Sequence, residues 1–510
     1  MRTCPRAPWF CPAPFVLGIA LVVLVASPAR TVRAAEPLAG LDDYLTKAIA
    51  DWKVPGLAIA IVKDDALVHA KGYGVRKLGE STPVDERSLF AIGSTSKAFT
   101  AACLAILADE GKLKWDDPAT KYLPSFELYD PYATRELTVR DLVCHRCGLS
   151  RGDALWYATA YDRAEVLRRL RYLKPSWSFR SRYGYQNIMF LAAGEIVPAV
   201  TGQSWDEFVK QRIFLPLGMN SACTSVKELA SNSNVATPHV ELEGTLEPVA
   251  WRNIDNVGPA GSINASVADM AQWLRLQLGQ GLLDGKRIVS AAAIDEMQSP
   301  QTVVRLEDVT QRFYPDAHLM AYGLGWFLHD YRGRKVVEHG GAIDGMRAQV
   351  ALVPEEKLGV VILCNKGGSG LPGPLMFHVI DCYLGKTERD WSSEALAKVR
   401  ELEAKGKEEE SKRDAKRVKD TRPSLPLEKY AGKYSQDLYG DSSVALENGN
   451  LVLTRGPAVV ADLEHWHYDT FRAKFRDRVI DKELVTFRLD AAGQVHALDF
   501  GELGTFARQE

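Results

Sequence analysis

The sequence predicts a mixed α/β protein of the α+β type, followed by a small all-β domain. Apolar runs typical of strands lie near the beginning and the end of the first 385 residues, at 57–75 and 322–364. Segments with helical spacing of apolar residues fill the region between them. From Tyr430 onward, short strand-like runs alternate with turns such as Glu447-Asn448-Gly449-Asn450.

The length and composition are those of a globular protein with more than one domain. A chain of 510 residues is too long for one ordinary core, and 46% of the residues are hydrophobic and 25% charged. The formal net charge is only −2. This charge gives no indication of a nucleic-acid surface, so no nucleic-acid partner is expected.

The N-terminus has the pattern of a secretory signal, which we place at residues 1–35. Arg2 and Arg6 precede an apolar run at 15–26, and small residues suited to a signal peptidase follow at 32–35. The run is too short to cross a bilayer comfortably, although an uncleaved anchor is the alternative. We therefore expect a secreted or periplasmic protein with no stable membrane span in the mature chain.

The predicted elements of the large domain, residues 36–385, begin with a helix at 41–50. Two strands follow at 57–62 and 67–75, before a helix that begins at Ser94. The later elements, in chain order, are helices at 187–200, 204–213 and 266–278, strands at 322–328, 335–338, 347–353 and 360–364, and a helix at 375–384. The four strands have the spacing of an antiparallel meander.

A change of composition separates the two domains. Residues 391–422 are dominated by Lys, Arg, Glu, Asp and Ala, which is typical of a solvated helix or a charged linker. Pro423 and Pro426 end this stretch. We therefore place a charged helical linker at 386–424 and an all-β domain, of the size of a small barrel, at 425–510.

The stretch Gly93-Ser94-Thr95-Ser96-Lys97 carries the strongest chemical signal. Ser94 and Lys97 are three residues apart at the start of a predicted helix, so both side chains project from the same face. A serine hydroxyl is a weak nucleophile until a base takes its proton, and an amine at this distance can take it. The glycine that a nucleophile elbow needs two places after the serine is missing, although the 10 histidines leave a triad open.

Two further motifs support a catalytic interpretation. Tyr185 and Asn187 lie two residues apart at a predicted loop-to-helix boundary, so a phenol and an amide can point to one side. His339, Gly340 and Gly341 follow a strand-like run. Glycines at this place would let the backbone of a substrate lie against an edge strand.

In this order and at these separations, the three motifs resemble those of the serine β-lactamase-like and penicillin-binding protein superfamily. The nearest branch contains class C β-lactamases, DD-peptidases and related esterases, and the resemblance covers about residues 41–385. Secondary features that agree are Gly56-Leu57-Ala58, Pro216-Leu217-Gly218-Met219 and Gly258-Pro259-Ala260-Gly261-Ser262. The resemblance implies a two-lobed β-lactamase/transpeptidase-like domain, with a central antiparallel sheet, a helical lobe and the active site between them. The C-terminal domain more weakly resembles the β-domains, some of them lipocalin-like barrels, that are appended to some of these hydrolases.

The resemblance also implies a role for each motif residue. Ser94 matches the acylated nucleophile, Lys97 the amine that takes its proton, and Tyr185 the phenol that relays protons to the leaving group. The residues that match substrate-binding positions are Asn187, His339, Gly340, Gly341 and Ala342. A lysine or tyrosine base near neutral pH requires a pKa lowered by about 3 units, so we expect Lys97 and Tyr185 to lie close together.

Two of these positions bear on substrate recognition. The backbone N–H groups of Ser94 and Ala342 would form the oxyanion hole. His339 stands where many members of the superfamily carry lysine, and a histidine is mostly neutral at pH 7 unless its pKa is raised. A strict requirement for an anionic substrate terminus is therefore less certain in this chain.

The implied reaction is acyl transfer through an acyl-serine intermediate, with no metal or cofactor. The implied substrates are esters or peptide-like amides, including D-amino-acid peptides, cell-wall peptides and β-lactams. A β-lactamase or DD-carboxypeptidase proper is the alternative within this class, and a penicillin-binding sensor without turnover or a scaffold is the alternative outside it. A homo-oligomer formed through the C-terminal domain is a further expectation.

Other clusters have competing interpretations. Two cysteines three residues apart, as in Cys144-His145-Arg146-Cys147, are found in some redox and metal sites. No second cysteine pair accompanies them, so a structural role is favoured. A local disulfide between Cys144 and Cys147 is an alternative. His465 and His467 share a strand face, but zinc needs further ligands that are not evident. The aromatic residues between 156 and 183 fit a cleft lining and a buried core equally well.

Overall fold

A computed structural model of the protein describes residues 37–510, apart from the side chains of residues 308–310. The predicted secretory signal lies outside the described residues. Among the described helices, none combines the length and apolar character that crossing a membrane requires.

An eight-stranded antiparallel sheet forms the centre of the large domain. Its strands, in spatial order, are Ala66–Gly74, Gly56–Lys63, Leu358–Cys364, Met346–Val353, Arg334–Ile343, Phe327–Tyr331, Met320–Tyr322 and Thr302–Val303. The first strand of the chain therefore pairs directly with the last strand of this domain, and Leu57 lies opposite Cys364. The predicted α+β class is confirmed.

One face of the sheet is covered by helices from the two ends of the domain, Leu41–Asp51 and Pro372–Leu384. Leu45, Ile59 and Ile362 share a buried core with them. Because side chains alternate along a strand, the neighbouring residues of each strand point to the opposite face. The sheet is therefore apolar on both sides, as its nearly continuous hydrophobic strands require.

The opposite face packs against the helical lobe. Its longest helices are Ser96–Asp109, Asn187–Thr201 and Val267–Leu278. The shorter helices between the strands of the chain are Pro131–Glu136, Val139–Leu142, Arg163–Arg169, Trp205–Val209, Leu215–Leu217 and Ala291–Met297. The helix Asp308–Phe313 instead lies beside the helix Trp391–Ala415, where Arg312 forms an ion pair with Glu401. The helix Ser96–Asp109 lies at the junction of sheet and lobe, because every residue from its first to Leu107 is buried.

The strands beside the active site differ from the prediction in two ways. The predicted strand at 322–328 is two strands, because Gly323 and Gly325 form a turn between Met320–Tyr322 and Phe327–Tyr331. The strand predicted at 335–338 continues to Ile343. Its first half is paired on both sides, but beyond Glu338 it pairs only with Met346–Val353. The half that contains His339 therefore has the free edge that a substrate could approach.

The C-terminal domain is a closed antiparallel barrel of eight strands. They are Gly432–Gln436, Gly440–Glu447, Asn450–Arg455, Val459–His467, Thr470–Phe475, Glu483–Leu489, Val495–Phe500 and Thr505–Arg508. Pairing of Tyr434 with Arg508 closes the barrel. The 25-residue helix Trp391–Ala415 precedes it, and only the first turns of this helix are buried.

Candidate active site

Ser94 lies in a short 3₁₀ turn, Gly93–Thr95, immediately before the helix Ser96–Asp109. The sequence predicted that the helix begins at Ser94, whereas the α-helix begins two residues later. Lys97 is in the first helical turn, and its Nζ lies 3.0 Å from Ser94 Oγ. The structure therefore brings the predicted nucleophile and the predicted base into direct contact.

Two glycines allow the Ser94 turn to lie against the strand Arg334–Ile343. A Cβ atom on Gly341 would lie 1.9 Å from the carbonyl oxygen of Ile92, and one on Gly93, whose φ is +52°, would lie 2.6 Å from the backbone nitrogen of Ala342. No other residue type fits such approaches. The backbone of Ala342 thereby lies against Gly93, the residue before Ser94, which is compatible with the predicted oxyanion hole.

The surroundings of Lys97 favour a neutral amine. The side chain is fully buried, and Nζ lies 2.8 Å from Asn187 Oδ1 and 2.8 Å from the carbonyl oxygen of Ala260. Burial holds the pKa of Lys97 well below its ordinary value, and the positive charge of Arg151 acts in the same direction. A neutral amine would donate its two N–H groups to these two oxygens and direct its lone pair at the Ser94 hydroxyl.

Asp153 fixes this arrangement, although the sequence analysis did not single it out. It accepts a hydrogen bond of 2.8 Å from Asn187 Nδ2. The Asn187 oxygen must then face Lys97, which can only donate to it. Asp153 also pairs with Arg151 at 2.7 Å. No local pattern marks Arg151 or Asp153, because they reach Asn187 and Tyr185 only through the fold.

Tyr185 lies beside Lys97 as expected, with the lysine Nζ 4.8 Å from the centre of its ring. A tyrosine that acts as a base near neutral pH would need a lowered pKa, and the pKa of Tyr185 is not lowered. Burial raises the pKa of Tyr185 above its ordinary value, and the contact with Ser94 only partly opposes this effect. The two pKa directions favour Lys97 over Tyr185 as the candidate base and favour a protonated Tyr185 hydroxyl that can donate a hydrogen bond.

His339 is a neutral residue of the site. Its Nδ1 lies 2.6 Å from the carbonyl oxygen of Gly340, and its Nε2 lies 3.0 Å from the Tyr322 hydroxyl. Burial, and then the charge of Lys97, lowers the pKa of His339 to about 3. With both ring nitrogens engaged and no positive charge at neutral pH, His339 is not a cation for a substrate carboxylate.

The Cys144–Cys147 segment lies behind the site and packs against Tyr185 through His145. Both cysteines are buried free thiols. The buried His145 ring lies 4.2 Å from the ring of Tyr185, centre to centre, and its Nδ1 accepts a hydrogen bond of 3.1 Å from the backbone N–H of Gln186. This contact holds the loop that carries Tyr185, so the segment acts as a structural support.

The site opens into a cavity of about 1060 Å³. Ser94, Tyr185 and Asn187 line it together with His339 to Ala342. Three residues of the aromatic region, Trp156, Tyr157 and Tyr183, also line it. The aromatic region therefore contributes to the cleft, a question that its sequence pattern left open.

The comparisons with known proteins agree with this geometry. Residues 41–384 match the family described as Beta-lactamase, and residues 416–508 match a domain of unknown function, DUF3471. The chain belongs to the Beta-lactamase family. It is therefore a member of the serine β-lactamase and penicillin-binding protein superfamily, with an additional C-terminal domain.

The relatives of this family member include proteins named as a hydrolase, a penicillin-binding protein and an aminopeptidase. The unguisins hydrolase ungD of Aspergillus violaceofuscus is 30% identical over 91% of this chain and 88% of its own length. Penicillin-binding protein 4 of Amycolatopsis lactamdurans is 30% identical over 62% of this chain and 81% of its own. The D-aminopeptidase of Brucella anthropi is 29% identical over 69% of this chain and 64% of its own.

Solved structures of the superfamily share the fold. The octameric penicillin-binding protein homologue from Pyrococcus abyssi has a TM-score of 0.63 at 23% identity, over 92% of this chain and all of its own. A D-stereospecific amidohydrolase from Streptomyces sp. has a TM-score of 0.54 at 22% identity, over 68% of this chain and 98% of its own. At these identities the likeness concerns the fold alone.

The barrel reaches the rim of the cleft of this family member. Arg252 forms ion pairs of 2.6 Å with Asp344, in the turn after the strand Arg334–Ile343, and with Asp477 of the barrel. Val479 of the same barrel loop lines the cavity. The C-terminal domain thus forms part of the wall of the site.

We expect Tyr185→Phe to lower kcat about 100-fold, because the variant keeps the ring but loses the hydroxyl that donates to the leaving group. The measurement compares an amide substrate with a nitrophenyl ester, whose leaving group needs little protonation. The amide should lose far more rate than the ester. An equal loss on both substrates would contradict a proton-donating role.

Glu338 is a second buried titratable group beside the site, on the strand of His339. It accepts a hydrogen bond of 2.9 Å from the Tyr314 hydroxyl and another from the side-chain amide of Gln349. Burial, which outweighs these hydrogen bonds, raises the pKa of Glu338 from 4.5 to about 7. The folded protein therefore holds a proton on this carboxyl over a range in which the unfolded chain does not.

We expect Glu338→Gln to remove a pH dependence of stability. A raised carboxyl pKa favours the folded state below pH 4.5, and this contribution is lost as the pH rises through about 7. The free energy of unfolding of the parent should therefore fall by about 3 kcal/mol more than that of the variant between pH 4.5 and pH 8. Urea unfolding at the two pH values measures the difference, with the surface variant Glu408→Gln as control. Parallel changes in parent and Glu338→Gln would contradict the expectation.

Proposed function

We propose that the protein is a serine hydrolase that acts through an acyl-Ser94 intermediate on esters and peptide-like amides. The contact of 3.0 Å between Ser94 Oγ and Lys97 Nζ carries this proposal, because the other two directions of the amine are occupied by Asn187 and Ala260. A neutral lysine held in this way can accept a proton only from Ser94.

Acylation follows from these positions. Lys97 Nζ takes the hydroxyl proton as Ser94 Oγ bonds to the carbonyl carbon of the substrate. The backbone N–H groups of Ser94 and Ala342 stabilise the oxyanion. The bond to the leaving group then breaks, and the leaving group receives a proton from Tyr185, which the ammonium of Lys97 replaces. Serine is left as an ester, and Lys97 is neutral again.

Deacylation uses the same groups on water. A water molecule in place of the leaving group loses a proton to Lys97 as its oxygen attacks the ester carbonyl. Ser94 recovers its proton from Lys97, and the acid product leaves. The rate of this second step separates a hydrolase from a penicillin-binding sensor, in which the acyl-enzyme persists.

Peptide-like amides, including those with D-residues, are the proposed substrates, with esters as simpler ones. The relative named D-aminopeptidase supports a substrate of the peptide class, and the one named unguisins hydrolase supports hydrolysis. The cavity of about 1060 Å³ is large enough for several residues of a peptide. β-Lactams and cell-wall peptides are more specific candidate substrates within this class.

Secretion or export to the periplasm remains a proposal that rests on the pattern of residues 1–35. A homo-oligomer is also proposed, since the homologue from Pyrococcus abyssi is described as octameric. Size-exclusion chromatography with light scattering tests the second proposal.

Covalent labelling tests the function directly. The purified protein is treated with a fluorophosphonate, and the modified peptide is identified by mass spectrometry. We expect one adduct, on the peptide that contains Ser94, and turnover of a nitrophenyl ester, a D-amino-acid amide or a D-Ala-D-Ala peptide. A stable adduct without turnover of any substrate would indicate a sensor, and the absence of an adduct would reject the proposal.

A further inference from the structure

The active-site cavity continues to the other face of the strand Arg334–Ile343. Besides the residues around Ser94, it is lined by residues that belong to the face covered by the helix Pro372–Leu384. We call this part the rear chamber and define it by Tyr314, Glu338, Arg347, Gln349, Phe377 and Trp391. The reaction described above uses none of these side chains.

The register of the sheet shows that Arg347 points into the rear chamber. On its strand, Ala351 and Val353 lie in the core beside the helix Pro372–Leu384, whereas Ala348 and Val350 lie in the core of the helical lobe. Arg347 is an even number of residues from Ala351 and Val353, so its side chain lies on the same face of the sheet as theirs, away from the helical lobe.

Arg347 is an unusual cation because nothing described neutralises it. Among the side chains that the structure describes, none forms a hydrogen bond or an ion pair with its guanidinium, and its Nε is buried although the residue as a whole is partly exposed. Burial lowers the pKa of Arg347. By contrast, Arg151 and Arg312, which line the same cavity, pair with Asp153 and Glu401 at 2.7 and 3.6 Å. A largely desolvated guanidinium is costly without a counter-charge, and a bound anion would offset that cost.

Arg347 also lies close to the reaction centre. It is the cross-strand partner of Ala342, whose backbone nitrogen lies against the Ser94 turn. Paired residues in an antiparallel sheet have Cα atoms about 5 Å apart. Ser94, Gly340 and Arg347 line one continuous cavity, so a single extended ligand in it can contact both the Ser94 side and the guanidinium.

We propose that Arg347 binds the terminal carboxylate of a peptide-like substrate, one residue beyond the scissile bond, with the last side chain in the rear chamber. Tyr314, Phe377 and Trp391 give this chamber aromatic walls, so a large apolar side chain fits there. Because His339 is neutral, the positive charge that recognises the substrate terminus comes from the opposite face of the strand. This inference rests on the proposed function for the identity of the ligand.

Binding, measured without turnover, tests the inference. Isothermal titration at pH 7.5 compares acetyl-D-alanyl-D-phenylalanine with its C-terminal amide on the Ser94→Ala protein. We expect the carboxylate to bind about 10- to 100-fold more tightly than the amide, as a charge-assisted hydrogen bond predicts. The preference for the carboxylate should disappear when Arg347→Met is added and remain in part with Arg347→Lys. It should be unchanged with the control Arg312→Met, because Arg312 is already paired with Glu401.

The outcomes separate this inference from the proposed function. If the carboxylate preference persists with Arg347→Met, or if neither ligand binds, the inference is wrong. Thermal unfolding of each variant shows whether a loss of binding reflects a loss of fold, and Arg347→Lys gives the answer if Arg347→Met does not fold. A protein that is labelled on Ser94 but has no carboxylate preference rejects the inference alone. A protein that binds the carboxylate but is not labelled rejects the hydrolase alone.

Discussion

Replacement of Ser94 by alanine is expected to abolish hydrolysis of every substrate, with kcat reduced by about 10⁴-fold or more. The hydroxyl is the group that bonds to the acyl carbon, and alanine at this position leaves Lys97 with no proton to accept. The change is small and the turn Gly93–Thr95 should keep its conformation. Initial rates with a nitrophenyl ester and an amide, and fluorophosphonate labelling, measure the effect.

A matched control comes from the same cavity. Ser369 also lines it, but its hydroxyl accepts a hydrogen bond from the backbone N–H of Leu371 and has no lysine beside it. We expect Ser369→Ala to keep its labelling and its turnover. Substantial residual ester hydrolysis by Ser94→Ala, with labelling at another residue, would overturn the assignment of the nucleophile.

Replacement of Lys97 by methionine is expected to lower kcat/KM by about 10³-fold and to change the pH profile. Methionine preserves the apolar stem of a fully buried side chain but cannot accept a proton. In the parent, Lys97 must be neutral, and burial has already lowered its pKa. Activity should therefore be lost as the pH falls through that lowered pKa, because the ammonium has no lone pair.

The acidic limb of the pH profile is the specific readout of this role. It should disappear in Lys97→Met, whose remaining rate uses water as the base and therefore does not depend on pH in this range. Lys398→Met is the control, because this cation also lines the cavity but donates to the carbonyl oxygen of Arg312. An unchanged acidic limb in Lys97→Met would assign the base to another group, and Tyr185 would be the next candidate.

Much of the fold and of the chemistry could be predicted from local patterns. The strand predicted at 57–62 is a continuous apolar run, and its complete burial within the sheet explains why. Ser94 and Lys97 are three residues apart, so their contact depends only on one turn of backbone. Tyr185 and Asn187 are likewise neighbours in the chain. The family resemblance then related these motifs to one another.

The protonation states of the side chains in the site could not be predicted from local sequence patterns. Tyr185 is buried next to Lys97, and burial moves the pKa of a phenol and that of an amine in opposite directions. The neutral state of His339 depends on Tyr322 and on the Gly340 carbonyl oxygen, whose positions require the completed sheet. Asp153 acts through the amide of Asn187, a contact between residues 34 positions apart.

The sequence by itself determined the candidate nucleophile, the amine beside it and the α+β class, because each depends on periodicity or on spacing within about one helical turn. Only the tertiary structure showed which of two candidate bases has a lowered pKa, where Arg347 lies in the cavity, and that a barrel loop reaches the rim. Each of these depends on burial or on strand register. Arg347 is the clearest example. Strand pairing places it opposite Ala342, and only the folded structure shows that no described side chain forms a hydrogen bond or an ion pair with its guanidinium.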